Sequence, residues 1–252
     1  MSLLKKIHPE QPLKELRWFD IGIVTLIMFG QFIVRSTQMY MASLSPNLST
    51  AISETSTNTA SEGAAYSSNF SLQLILLALA LAYLWIRHFD FKQLPVRLKW
   101  SLVFWVPFIF AIMGLFADMV STLSGQYNYF SPQVLAFISP MAVLNKFLAL
   151  SPMAIAYGLL NGFYEEFFFL GLLTSVKDKY KWWVLLFSIL VRVSFHTYQG
   201  LLWALVIGVV FGLLYYFLYK YKVKNLLPFF LVHALADMFG SSLIYLLVNW
   251  NY

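Results

Sequence analysis

The stretch AIAYGLLNGFYEEFFFLGLLTSV, residues 154–176, decides how the chain is read. It is long enough to cross a bilayer, since a transmembrane helix needs about 20 predominantly apolar residues. Within it two carboxylates, Glu165 and Glu166, stand side by side. A charged side chain at the bilayer centre costs about 3 kcal/mol on insertion scales and more in simulation, so such residues mark functional sites and need partners. The question then is which other helices supply those partners.

Composition extends the membrane reading to the whole chain. Of 252 residues 60% are hydrophobic, 19% aromatic and only 11% charged, where a soluble domain carries about 25% charged residues. The expected fold is all-α and polytopic, a single transmembrane domain over 1–252 in a cell membrane. Seven apolar runs can be marked, at 18–43, 71–86, 100–123, 147–173, 182–198, 201–219 and 226–248. Residues 133–150 are also apolar but contain Pro140 and Lys146 and are followed by Pro152. They read as a broken or interfacial helix leading into the fourth run. Residues 45–70 are rich in Ser, Thr, Asn and Ala, with too few large apolar side chains to fold alone, and read as a flexible external loop. The absence of cysteine excludes disulfides, thiolate catalysis and Cys-ligated zinc. The N-terminal MSLLKKIHPEQPLKELRWFD lacks the apolar core of a signal peptide, so the first run is expected to stay as an anchor.

The basic residues set the orientation. Lys5, Lys6, Lys14 and Arg17 precede the first run; Arg87, Lys92, Arg97 and Lys99 fill the next even loop; Lys177, Lys179 and Lys181, then Lys220, Lys222 and Lys224, fill the following two. All of these fall on one side of a seven-span arrangement, and the opposite loops 45–70 and 124–132 hold none. The expectation is a cytoplasmic N-terminus and an external C-terminus. This placement also explains the net charge of +6 without invoking nucleic acid; the partners expected are membrane lipid and a peptide or membrane protein. Arg35, Lys146 and Arg192 remain, and Arg192 lies inside the fifth run, where it needs a counter-ion.

Polar residues recur in three of the C-terminal runs. Glu165 and Glu166 lie on the fourth, Arg192 and His196 on the fifth, and His233 and Asp237 on the seventh. Arg192 and His196 are spaced i, i+4, as are His233 and Asp237, which puts each pair on one helix face. A carboxylate with a histidine is suited to deprotonating a bound water, and a second histidine can donate to a developing oxyanion. The set points to a hydrolase that uses water directly. Each element also has a plainer reading: Arg192 as a neutralising partner for a glutamate, His233 with Asp237 as a helix–helix hydrogen bond worth about 1 kcal/mol.

These residues resemble the CAAX protease and bacteriocin-processing family, also called the type II CAAX prenyl endopeptidase or ABI family. Its pattern is Glu-Glu-x-x-x-Arg, then Phe-x-x-x-His, then His-x-x-x-Asn or Asp. Here the three elements are EEFFFL, RVSFH and HALAD, and the resemblance covers residues 130–245. It implies a glutamate-dependent intramembrane endopeptidase in which Glu165 and His196 activate water. His233 and Asp237 would stabilise the oxyanion and Glu166 would support the site. It implies no cofactor and no metal, and the chain has no His-Glu-x-x-His spacing. Two positions depart from the pattern: Leu170 stands where the family has its arginine, and Arg192 where it has its phenylalanine. The expectation is a relocated guanidinium, with Arg192 pairing Glu166 from the neighbouring helix. Two other functions fit the same residues. One is a non-catalytic membrane partner, such as a sensor-kinase modulator or a bacteriocin-immunity protein. The other is a proton-coupled transporter, against which stands the absence of an inverted repeat in the sequence.

Overall fold

A computed structural model describes residues 11–44 and 62–249. Among them the chain is helical, with two isolated β-bridges and no strand. Besides single turns such as Pro132–Leu135, the helices are α1 (Trp18–Ser43), α2 (Glu62–Ile86), α3 (Leu102–Leu123), α4 (Pro140–Ala149), α5 (Pro152–Glu166), α6 (Lys181–His196), α7 (Leu201–Val223), α8 (Leu227–Phe239) and α9 (Leu243–Leu247). The all-α membrane class expected from composition is what the chain forms.

Four described helices are long and apolar enough to cross a membrane: α1, the Tyr66–Ile86 part of α2, α3 and α7. A fifth candidate is the pair Pro140–Ala149 and Pro152–Leu172, bent by 100° at its break. That bend is the broken lead-in expected near residues 133–150. The break is local: Leu150 is extended, with ψ 134°, and Pro152, which has no N–H to continue a helix, starts the next one. Two expected runs are shorter than drawn. Helix α6 has 16 residues, a rise of about 24 Å against a hydrocarbon core of about 30 Å. The run 226–248 is not one helix: α8 stops at Phe239, Gly240 takes φ +77°, and Ser242 caps α9 by accepting from Tyr245 N at 2.9 Å. A left-handed glycine just past a helix end is the usual stop signal. Of the expected loop 45–70, residues 45–61 lie outside the described residues. Residues 62–70 instead begin α2, so the second helix starts well before residue 71.

The described residues pack as two compact units, and the 130–245 segment contributes to both. The first comprises 1–96 and 164–226, the second 97–163 and 227–252. The division falls inside α5, between Phe163 and Tyr164.

In the first unit Phe29 of α1 is 1% exposed. Its ring lies 4.8, 5.1 and 4.9 Å from those of Phe168, Phe169 and Phe195. Lipid gives helices no hydrophobic drive to associate, so packing of this kind and internal hydrogen bonds hold them together. A Cβ on Gly208 of α7 would lie 2.8 Å from the Val193 backbone nitrogen, so α6 and α7 meet at backbone contact. At one end of the unit Asp20 is fully buried and accepts from Arg87 Nε at 2.6 Å and Tyr83 Oη at 2.7 Å. That bond to Asp20 raises the Arg87 pKa.

The basic segments of this unit are tied to one another. Leu13 N donates to His88 O at 2.8 Å, Leu16 N to Ser175 O at 2.7 Å, and Leu226 N to Pro95 O at 2.8 Å. The segments preceding α1, following α2, preceding α6 and following α7 thus share one end, as the lysine and arginine distribution requires.

In the second unit α3 packs on α8 and α9. Asp118 of α3 is fully buried; it accepts from Ser242 Oγ and, at 2.9 Å, from Ile244 N, which satisfies the first turn of α9. Lys146 Nζ donates to Val248 O and lies 4.8 Å from the Tyr245 ring centroid.

Candidate active site

Each unit carries its own cluster of the expected residues. In the first, α5 ends at Glu166 and continues as a π-helical segment, Phe167–Leu172. A π turn takes up extra residues and re-aims the side chains that follow; such turns are frequent at functional sites. Glu165 is 5% and Glu166 0% exposed. Arg192 of α6 donates from Nη2 to Glu166 Oε2 at 2.6 Å. This is the relocated guanidinium expected from the sequence. Leu170, at the position of the family's arginine, is buried inside the π segment.

The Arg192 head is held by more than its carboxylate. Its central carbon lies 3.9 Å from the Phe169 ring centroid, a cation–π contact that gains strength away from water. Its stem runs along α7, where a Cβ on Gly212 would lie 3.4 Å from Arg192 Cδ. A side chain at 212 would crowd the arginine.

His196 lies one turn beyond Arg192, as the spacing predicts, and is 7% exposed. Its Nδ1 lies 2.8 Å from the Arg192 backbone oxygen. A carbonyl oxygen only accepts, so Nδ1 carries a hydrogen and Nε2 is the atom left to take a proton. The ring is flanked by Phe195 at 4.1 Å and Tyr198 at 6.4 Å between centroids. The sequence reading had not anticipated that the partner of His196 on this helix would be backbone. The carboxylates of this unit able to hold a cation here are Glu165 and Glu166, and Glu166 is already engaged by Arg192.

In the second unit His233 and Asp237 sit one turn apart on α8, with His233 Nε2 3.9 Å from Asp237 Oδ2. The separation exceeds a hydrogen bond. Asp237 Oδ2 accepts instead from Asn161 Nδ2 of α5 at 2.9 Å. Sequence reasoning missed Asn161. Its signal was Gly158-x-x-x-Gly162, a spacing that lets membrane helices approach closely. A Cβ on Gly162 would lie 2.4 Å from Phe230 O and 2.8 Å from Ala234 N. Only glycine allows α5 and α8 to touch there, which brings the Asn161 amide to Asp237.

Residues 146–239 match the family model described as Type II CAAX prenyl endopeptidase Rce1-like. Over this segment the chain is similar to the Rce1-like family. It runs from Lys146 in α4 to Phe239, the last residue of α8. It contains Glu165, Glu166, Arg192, His196, His233 and Asp237, together with Asn161. The Rce1-like family is one of CAAX-type membrane proteases. No curated protein and no solved structure matches the chain.

Proposed function

We propose that this protein is an intramembrane endopeptidase that hydrolyses a peptide bond with water activated by Glu165 and His196. Glu165 takes a proton from the water as its oxygen attacks the scissile carbonyl, and His196 Nε2 helps to orient the water and share that proton. The oxyanion that forms is stabilised by His233, whose positive charge is supported by Asp237. The proton held at Glu165 passes to the departing amine as the carbon–nitrogen bond breaks, leaving a carboxylic acid and an amine. What supports using both residue clusters is the family match, which spans residues of each. No covalent intermediate or cofactor is needed.

The observation that carries this reading is the Arg192–Glu166 ion pair at 2.6 Å, with both side chains buried. Loss of the family's arginine at 170 would leave a glutamate pair in a low-dielectric interior without its cation, at a cost of several kcal/mol. The chain instead supplies a cation from α6, the arrangement expected if the acidic pair is retained for use. The orientation proposed is N-terminus cytoplasmic and C-terminus external, supported by the clustering of basic segments at one end of the first unit.

The test uses full-length protein in nanodiscs with quenched peptide substrates, prenylated and unprenylated. Glu165→Gln and His196→Ala should each lower cleavage at least a hundredfold with no loss of folded protein, and a metal chelator should leave cleavage unchanged. Undiminished cleavage by Glu165→Gln would remove the carboxylate from the mechanism. A wild-type protein that cleaves nothing while both variants lose binding to a membrane partner would favour the non-catalytic reading.

A further inference from the structure

Unit one holds a second feature that proteolysis does not use. Residues 11–17 form a strap before α1. It is fixed by backbone bonds at both ends: Leu13 N to His88 O at 2.8 Å with Asp90 N returning to Leu13 O at 3.1 Å, and Leu16 N to Ser175 O at 2.7 Å. Leu16 is 5% exposed, so the strap is docked by its apolar side chain as well as by its backbone. Between it and the turn leading into α6 lies a cavity of about 720 Å³. This is in the range of sites that hold a small molecule or a headgroup, about 300–1,000 Å³.

The lining has a consistent chemistry. Lys14 and Arg17 come from the strap and Lys177 from the opposite turn, with Glu15 the one acidic member. All three cations are exposed. Lys181, nearby in sequence, is already paired with Asp178 at 3.0 Å. Two aromatic residues complete the mouth: Trp18, the first residue of α1, and Tyr180, with ring centroids 6.1 Å apart. Tryptophan and tyrosine are enriched where a membrane protein meets the headgroup layer. Leu13, Ile21 and Val184 give the cavity an apolar side.

We propose that this cavity binds the headgroup of an anionic phospholipid. Its phosphate would be held by Lys14, Arg17 and Lys177, with the glycerol and upper acyl segments against Trp18, Ile21 and Val184. Three cations against one acid give the site the sign needed for phosphate, and basic pockets at the cytoplasmic edge of membrane helices recognise anionic headgroups. A free phosphate shares that chemistry. The lipid is favoured because the apolar wall belongs to the start of a membrane-spanning helix, where an acyl chain continues naturally and a soluble ion gains nothing.

The experiment is native mass spectrometry, or fluorescent-lipid binding, of the full chain in nanodiscs with phosphatidylglycerol against phosphatidylcholine. Phosphatidylglycerol should be retained preferentially, and less so as salt is raised. Removal of one cation should weaken retention about fivefold, and Lys14→Ala with Lys177→Ala together about twenty-five-fold. Lys14→Arg with Lys177→Arg should retain most of the binding. Thermal unfolding of each variant shows whether the fold is kept; if the double alanine variant does not fold, the wild-type lipid preference and its salt dependence decide alone. Equal retention of the two lipids by the wild type, or displacement of bound lipid by millimolar glycerol phosphate, overturns the proposal. Neither outcome bears on peptide cleavage, so this inference and the proteolytic one fail separately.

Discussion

Arg192 reaches across from α6 to place its guanidinium 2.6 Å from the Glu166 carboxylate, and neither side chain is more than 3% exposed. The family-like sequence pattern puts a cation four residues after the glutamate pair, on the same helix, where this chain has Leu170. The chain meets the same electrostatic need from a second helix. The consequence is mechanical as well as electrostatic, because α6 is now pinned to the end of α5.

Arg192→Met strands a buried carboxylate and should destabilise the protein by about 3–5 kcal/mol. Arg192→Met combined with Glu166→Leu should recover most of that loss, since removing both charges together leaves no uncompensated ion. Thermal unfolding in detergent reads this. A double variant no more stable than the Arg192→Met single would show that the two charges do not depend on each other.

The Asp20–Arg87 pair makes the same kind of prediction elsewhere in the first unit. Asp20 is fully buried and receives Arg87, Tyr83 and the Arg17 backbone nitrogen. Arg87→Met should cost about 3–5 kcal/mol. Tyr83→Phe removes one donor of the three and should cost about 1–3 kcal/mol. If the tyrosine variant proves the worse of the two, the guanidinium is not the main support of Asp20.

Gly162→Ala places a methyl 2.4 Å from the Phe230 carbonyl oxygen, a clash with backbone that no side-chain rotation relieves. Overpacking of this kind costs about 1–3 kcal/mol or more, so the yield of folded protein should fall. Gly22→Ala is the control, because nothing lies within 4 Å of its added carbon. It should be neutral or gain up to about 1 kcal/mol from helix propensity. Equal tolerance of the two substitutions would mean that α5 and α8 are not held at backbone contact.

Asn161→Leu removes the amide that donates to Asp237 at 2.9 Å. If Asp237 supports His233 in catalysis, cleavage should fall about 10–100-fold, the effect typical of a group that orients a functional side chain. Asn161→Gln should restore part of it. The comparison is kcat against KM for one peptide: an orienting role lowers kcat and leaves KM nearly unchanged.

Much of this site was legible in the one-dimensional pattern, and the reasons are physical. Acids in an apolar run are conspicuous because lipid makes them expensive, and i, i+4 spacing is a property of any helix, so the placing of His233 and Asp237 one turn apart on α8 followed directly. A buried arginine without an arginine at 170 predicted its own partner, since Glu166 had no other cation of the motif. Asn161 was not legible. An amide in a membrane helix is unexceptional by composition, and its role depends on the approach of α5 to α8. Asp118 was missed for the same reason: its task is to cap α9, and α9 exists because the chain breaks at Gly240 and not at any proline.

The sequence by itself determined the class of molecule, where most of the apolar helices lie and the residue types of the candidate site. Each of these is set by transfer free energies and by helical periodicity, which act on residues near one another along the chain. The tertiary structure decided which helix supplies the cation to Glu166, that Asp20 closes on Arg87, that Asp237 is held by Asn161, and that the strap before α1 walls a basic cavity. These are contacts between residues far apart in sequence, such as the 67 positions separating Asp20 from Arg87. They depend on how closely two backbones approach, a distance governed by glycine placement and ring packing that no local pattern encodes.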